Sequence, residues 1–300
     1  MRKGVLAVVA ASFLYGIMPI FTKRALLEGM TSGAVVFYRL FFAAVVSFIV
    51  LKVLRIDMSV TARQLAEMAI MGVIGFGATM ALLTMAYGLI PTGLATILHF
   101  TYPLFVTVVM TVVFRERMSG AKLAACICAV GGILLIADFS SLSVAGVLLA
   151  VISGTTYASY VIANKKLTFG RLHGLVIVFY VSSFAAVFFG IKAVLTKEMM
   201  RPCSPLALVL LLIIAVFCTV TTLFLLTYGI KTLGASTASM LNMLEPVIGL
   251  VAGVIVYKEM IPLKGIIGCI LIVMTGIASA FDSADQEIKV KVHVNTNRLD

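Results

Sequence analysis

Two triplets of polar side chains interrupt long apolar runs. Ser239, Asn242 and Glu245 recur at steps of three in "SMLNMLEPVIGL", and Thr96, His99 and Tyr102 recur at the same steps in "TILHFTYPLF". On a helix, three residues fall about 60° short of a full turn, so each triplet makes a slanted band on one side. Glu245 lies between charge-free runs, 232–244 and 246–257, that read as one membrane-spanning helix. A charge at the centre of such a helix costs about 2.5–3.5 kcal/mol on insertion scales. The carboxyl therefore either faces a cavity, where it pairs with a substrate amine or carries a proton, or stays protonated and bonded to a neighbouring helix. Pro246 follows it, removes a backbone donor and can free the carbonyl of Asn242 four residues back.

Other residues extend this chemistry. His99 titrates near neutrality when unperturbed, so it is a candidate, with Glu245, for coupling to protons, or for donating to a substrate carboxylate; packing as a neutral ring is its alternative role. Tyr15 and Tyr157 sit at matching places in two apolar runs and either flank a substrate or pack as aromatic filler. Ser12 and Ser153 lie about one turn before them. Arg39 stands about six residues into its run, where snorkelling or a structural pair suffices. Glu116 and Glu259 adjoin basic residues at run ends and read as local ion-pair anchors. The candidate substrate-binding set is thus Glu245, Asn242, His99, Tyr102, Tyr15, Tyr157, Ser239 and Thr96.

Those residues must be held by membrane helices. With 62% hydrophobic and 12% charged residues in 300, the chain is too apolar for a soluble domain. Ten runs are long enough to cross a hydrocarbon core of about 30 Å: 4–22, 33–51, 66–88, 93–114, 120–137, 145–164, 173–191, 205–229, 234–257 and 262–281. "GLIPTG", 88–93, divides the uncharged stretch from Met68 to Phe114, because Pro and Gly break helices. The net charge of +11 does not mark a nucleic-acid binder. Fifteen Lys and Arg fall in the loops of one side and seven in those of the other, with Arg39 inside the second run. The richer side is expected in the cytoplasm with both termini, which places the chain as a multi-pass protein of the plasma (inner) membrane. Cys126, Cys128, Cys218 and Cys269 lie in predicted helices and only Cys203 in an outer loop, so neither a disulfide framework nor a metal site is expected. No cofactor is expected either.

The chain also repeats. At an offset of 142, "GVLAVVAASFLYG" from Gly4 matches "GVLLAVISGTTYA" from Gly146, pairing Tyr15 with Tyr157, Lys23 with Lys165 and "FY" 37–38 with "FY" 179–180. At 141, "YG" 87–88 meets "YG" 228–229; at 143, Pro103 meets Pro246 and "RE" 115–116 meets "KE" 258–259. Offset 143 also lays Thr96 on Ser239, His99 on Asn242 and Tyr102 on Glu245. Five spans per copy is an odd number, so the second copy must enter the membrane in the opposite direction. The expected architecture is an all-α integral membrane protein with ten transmembrane helices in two inverted five-helix repeats, 1–141 and 142–282, followed by a polar tail, 283–300. Inverted repeats place a substrate site near the midplane between the copies.

"YG" 15–16 followed by Lys23, Arg39 in the second run, "YPLF" 102–105, "RERMS" 115–119, the glycines at 131 and 132, and in the second half "EPVIG" 245–249 and "KEMIP" 258–262 resemble the EamA-type carriers of the drug/metabolite transporter superfamily. The resemblance implies ten helices, cytoplasmic termini and a cavity lined mainly by helices 1, 3, 4, 6, 8 and 9. Members commonly have Trp where Tyr15 stands; this chain has no Trp, so an indole-lined cavity is excluded.

The leading expectation is a secondary transporter, an exporter of a small organic metabolite such as an amino acid or related amphiphile. It would work by alternating access in the lipid bilayer, with protons as a candidate coupling ion. No GxxxxGK[ST] loop is present, so gradients must drive it. An intramembrane enzyme would need a convergent nucleophile and base, or a metal cluster, and one His and one Glu on separate helices make a weak case. A non-transporting receptor leaves the duplication without a purpose.

Overall fold

The computed structural model describes residues 2–87, 89–90, 92–116, 143–196 and 204–257, with helical positions at 120, 124, 126–128, 131–132, 266–268, 270–271 and 274. The fold is all-helical, with no strand among the described residues. The predicted fifth and tenth spans, the tail, Lys122, Cys203, Glu259 and Cys269 lie mostly or wholly outside them.

Helix α1 runs Arg2–Leu27 and α2 Ser32–Val53, the latter started by Thr31, whose hydroxyl accepts from Ala34 N–H. The third span is α3, Ala62–Ile70, then a π-helical segment, Met71–Gly77, then α4, Ala78–Tyr87. A capping box between Thr61 and Gln64 starts it, each side chain satisfying an N-terminal donor. The fourth run is two helices, α5, Thr92–His99, and α6, Tyr102–Val112. In the second half come α7, Val144–Lys166; α8, Gly174–Leu195; α9, Pro205–Ala215; a second π segment, Val216–Thr221; and α10, Thr222–Leu233. Gly234, at φ +89°, turns the chain straight into α11, Ala235–Asn242, and α12, Leu244–Tyr257, follows Met243. A positive φ there suits a residue without a side chain.

Six helices are long and apolar enough to cross a membrane: Arg2–Leu27, Ser32–Val53, Ala62–Ala86, Val144–Lys166, Gly174–Leu195 and Pro205–Leu233. Predicted spans four and nine are not single helices. Each breaks just before its proline, at Phe100–Thr101 and at Met243. Pro103 and Pro246 then fall in the first turn of a new helix, where a missing N–H forfeits no helical bond.

Packing follows the repeat crosswise. Helix α1 packs on α9, α10, α11 and α12, and α7 packs on α4, α5, α6 and the Met71–Gly77 segment. The first helix of each half thus lies against the third and fourth runs of the other. A large core gathers between them around Tyr102, Tyr160, Phe76 and Phe100, while Leu6, Phe13, Phe41, Ile74, Phe188 and Ile255 stay exposed on the outside. An apolar exterior is what a lipid solvent accepts.

Candidate functional site

The two breaks meet in the middle of the molecule. Glycines let the flanking helices close on them: a Cβ at Gly154 would sit 2.7 Å from the His99 carbonyl, and one at Gly16 would sit 2.9 Å from the Glu245 carbonyl. Both contacts put a helix backbone directly against a broken helix.

Asn242, at the end of α11, organises the centre. Its Nδ2 donates to the Tyr102 hydroxyl at 3.0 Å and to Glu245 Oε2 at 3.1 Å, and its Oδ1 lies 3.1 Å from Ser12 Oγ, whose one proton it shares with the Val8 carbonyl at 2.9 Å. Both amide protons and the amide oxygen are therefore engaged. Tyr102 spends its oxygen on Asn242 and keeps its own proton. Glu245 occupies the first turn of α12, a position the positive end of a helix favours for a carboxylate. Its second oxygen has no donor among the described residues.

The matching half of the site is built from α5 and α7. His99 Nδ1 lies 3.0 Å from Ser153 Oγ, and Ser153 Oγ donates to the Ala150 carbonyl at 2.6 Å. A carbonyl can only accept, so the single Ser153 proton goes to Ala150 and His99 Nδ1–H is the donor to Ser153. This leaves Nε2 of the neutral ring as the acceptor. Ser12 with Asn242 and Ser153 with His99 are thus counterparts, a first-helix serine bound to a residue at a break.

Four aromatic rings close the centre. His99 lies 5.6 Å from Tyr102 and 5.5 Å from Tyr157, and Tyr102 meets Tyr157 edge-on at 4.8 Å. Tyr15 and Tyr157, the repeat-matched pair, approach each other through their hydroxyls. Neither hydroxyl makes a well-formed hydrogen bond to another described residue, and the two buried phenols have at most a weak contact with each other. A buried hydroxyl without a well-formed bond costs roughly 1–3 kcal/mol, and these two stand at repeat-matched positions.

The remaining expectations divide. Ser239 is buried and donates to the Ser236 carbonyl of its own helix at 2.8 Å, which takes its proton out of the centre. Thr96 is half-buried on α5, one turn before His99. Arg39 does not snorkel: it is 8% exposed, and donates from Nε to Thr219 Oγ1 at 2.7 Å and from Nη2 to the Cys218 carbonyl at 3.3 Å. Both acceptors belong to the Val216–Thr221 π segment. Glu116 is not an ion-pair anchor among the described residues; it accepts from Ser236 Oγ at 2.8 Å, binding α11 to the chain after α6. Sequence reasoning misses Tyr160, which is fully buried beside Tyr157 and bonds Asn164, itself in reach of Thr227. The spacing 157, 160, 164 on one helical face is the available signal.

On the Glu116 side, α6 and α11 pack on each other; the opposite halves of the broken helices, α5 and α12, pack instead on α7 and α1. No group of His, Cys, Asp and Glu among the described residues has the arrangement of a metal site.

The EamA-like transporter family matches the sequence twice, over residues 2–137 and 144–279. The chain belongs to the EamA-like transporter family. The double match gives this EamA-like chain a two-repeat architecture, and members of the family are transporters. With its apolar spans, membership points to a multi-pass membrane protein. A solved structure described only as "Crystal structure of protein" is similar at a TM-score of 0.76, covering 94% of this chain and 98% of that one at 16% identity. That likeness shows a shared fold. No curated protein matches the chain.

Proposed function

We propose that this EamA-like protein is a secondary active transporter that exports a small organic metabolite, such as an amino acid or related amphiphile, by alternating access. Its ten spans form two inverted five-helix repeats, 1–141 and 142–282, with both termini in the cytoplasm of a plasma-membrane protein. The fifteen-to-seven loop bias in Lys and Arg supports that orientation.

The observation that carries the proposal is the meeting of two broken helices at Asn242, Tyr102 and Glu245. Discontinuous helices at a repeat interface are where carriers build substrate sites, because breaks expose backbone and helix ends to a ligand. The substrate contacts are Glu245, Asn242, His99, Tyr102, Tyr15 and Tyr157, with Ser239 and Thr96 supporting their helices; Glu245 and His99 handle protons. The α6–α11 contact with its Ser236–Glu116 bond is the closed gate of one state. Exchanging the conformations of the repeats would open it and close α5 on α12.

The test is flux. Purified protein in liposomes is screened against amino acids and cationic metabolites, with and without a pH gradient. Solute movement that responds to a gradient is expected, and no movement of any solute under any gradient would sink the proposal.

A further inference from the structure

We propose that the outward-facing groove between α2 and α8 is a specific site for one acyl chain of an anionic phospholipid, with Lys52 holding the phosphate at the groove's end. The inference concerns neither the central site nor the transported solute.

The groove has its origin in the duplication. Helices α2 and α8 are the second helices of the two halves and pack on each other. At an offset of 142, Phe41 corresponds to Ser183 and Phe48 to Gly190, so α2 carries rings where α8 carries small side chains. A Cβ on Gly190 would lie 3.1 Å from Phe37 Cε2, which shows how closely the helices meet there. Beside this contact runs a groove of about 710 Å³, walled by Phe37, Phe41, Phe48, Phe179, Ala44 and Val187. Phe41 stacks on Phe37 at 5.8 Å and Phe48 meets Phe179 at 5.7 Å. Ser183 is the polar residue in the wall, and its hydroxyl donates to the Phe179 carbonyl at 2.7 Å. The lining therefore presents no free side-chain donor to a ligand.

Chemistry and dimensions select the occupant. Phe41 is 43%, Phe48 41% and Val187 60% exposed, so the groove opens onto the apolar exterior. The bilayer core holds no water to fill it, and an acyl chain is the apolar group at hand. From Phe37 to Phe48 the groove follows α2 for about 16 Å at helical rise. That is about half of a hydrocarbon core, the depth of one leaflet.

The end of that path carries the charge. Lys52 Nζ lies 5.5 Å from the centroid of the Phe48 ring, and Arg55 follows one turn later. The ion pairs among the described residues are Arg24–Glu28 and Arg63–Glu67, so neither Lys52 nor Arg55 has a described carboxylate partner. Asp57, the acid nearest in sequence, is engaged by the N–H and the hydroxyl of Ser59. In the proposed orientation this end faces the cytoplasm, where anionic lipid attracts basic residues beside a membrane helix. A second copy of the chain is the poorer occupant. An isologous contact sets the same patch on both subunits, so groove would face groove and leave its volume unfilled, with the two Lys52 side chains at one depth.

The experiment titrates detergent-purified protein with dioleoyl phosphatidylglycerol or dioleoyl phosphatidylcholine and reads bound lipid by native mass spectrometry. A phosphatidylglycerol with a photoreactive acyl chain maps the contact. The wild type should hold phosphatidylglycerol about fivefold more tightly than phosphatidylcholine, the advantage of one cation at a membrane surface, and should crosslink within 37–48 and 179–195. Lys52→Gln should bring the two lipids within about twofold and keep the crosslinks. Val187→Trp, which fills the groove from an exposed position, should lower retention of both and remove the crosslinks. Lys3→Gln, an exposed cation of α1, should change neither. Equal retention of the two lipids by the wild type would overturn the proposal, as would crosslinks spread as densely over Phe13, Ile74 and Ile255 as over the groove. Displacement of the lipid by excess glycerol phosphate would show that the headgroup alone is the ligand, and would overturn the chain site. A Val187→Cys protein that forms disulfide-linked dimers in membranes, in excess of the wild type, would assign the face to a second copy instead. Because the lipid comparison and the crosslink map use the wild type, misfolding of a variant does not protect the idea.

Discussion

Asn242 donates to the Tyr102 hydroxyl at 3.0 Å, joining the two broken helices at the residues that flank their breaks. The same amide holds Glu245 and accepts from Ser12, so one side chain connects α1, α6, α11 and α12. Asn242→Ala should lower stability by about 1–3 kcal/mol, since it strands several buried partners, and should reduce flux. Tyr102→Phe removes only one of those bonds and should have a smaller effect. Thermal unfolding with ligand-free protein separates them; equal losses would show that the Asn242–Tyr102 bond alone accounts for the effect.

Glu245→Gln keeps the shape and the Asn242 contact while removing the ionisable carboxyl. Flux should be abolished or should stop responding to the pH gradient, with expression and folding intact. Unchanged transport in the liposome assay would remove Glu245 from the mechanism.

His99 is fixed by Ser153 so that Nδ1 carries the proton donated to it and Nε2 is the ring's acceptor. His99→Ala should shift the pH dependence of transport. An unaltered profile would assign the ring to packing.

Gly154 admits the His99 carbonyl where a Cβ would sit at 2.7 Å. Gly154→Val should force α7 away from the α5–α6 break and cost about 1–3 kcal/mol through overpacking. Gly120→Ala, where nothing lies within 4 Å of the added atom, is the control for a harmless change. A Gly154→Val protein with wild-type melting and flux would show that the close approach is dispensable.

The observed span begins at Gly174, one residue later than the sequence run, and His173, just outside it, caps α8 by accepting the Leu175 N–H on Nδ1 at 3.3 Å. Burial, and then the nearby Lys231 ammonium, hold its pKa below the ordinary histidine value. The unfolded chain therefore takes up the proton first as pH falls. The stabilisation is complete above about pH 6.5 and declines as pH drops through the lower folded value. His173→Asn, which caps without titrating, should flatten that part of the stability-versus-pH curve in melts between about pH 7.5 and 4.5.

Several elements were legible in the sequence. The turn between α4 and α5 lies where "GLIPTG" predicts it, and six of the ten expected spans form helices long enough to cross a membrane. Spans four and nine were legible as apolar runs but not as pairs of short helices. Pro103 and Pro246 signalled an interruption without its place, because a proline fits either as a kink inside a helix or in the first turn of a new one. The π segments left no comparable signal. Each inserts a residue into a turn without changing the hydrophobic pattern.

What the sequence by itself determined is the membrane class, the duplication and the polar residues that the breaks would carry, since apolar length, offset matches and residue type are all local properties of the string. The tertiary structure alone decided which of those residues meet. Ser239 turned back onto its own helix, Asn242 crossed to Tyr102, and Arg39 turned inward onto Thr219 instead of outward to the interface. Partner choice of that kind depends on the relative positions of helices far apart in the chain, and those positions are set by glycine contacts and helix breaks acting together.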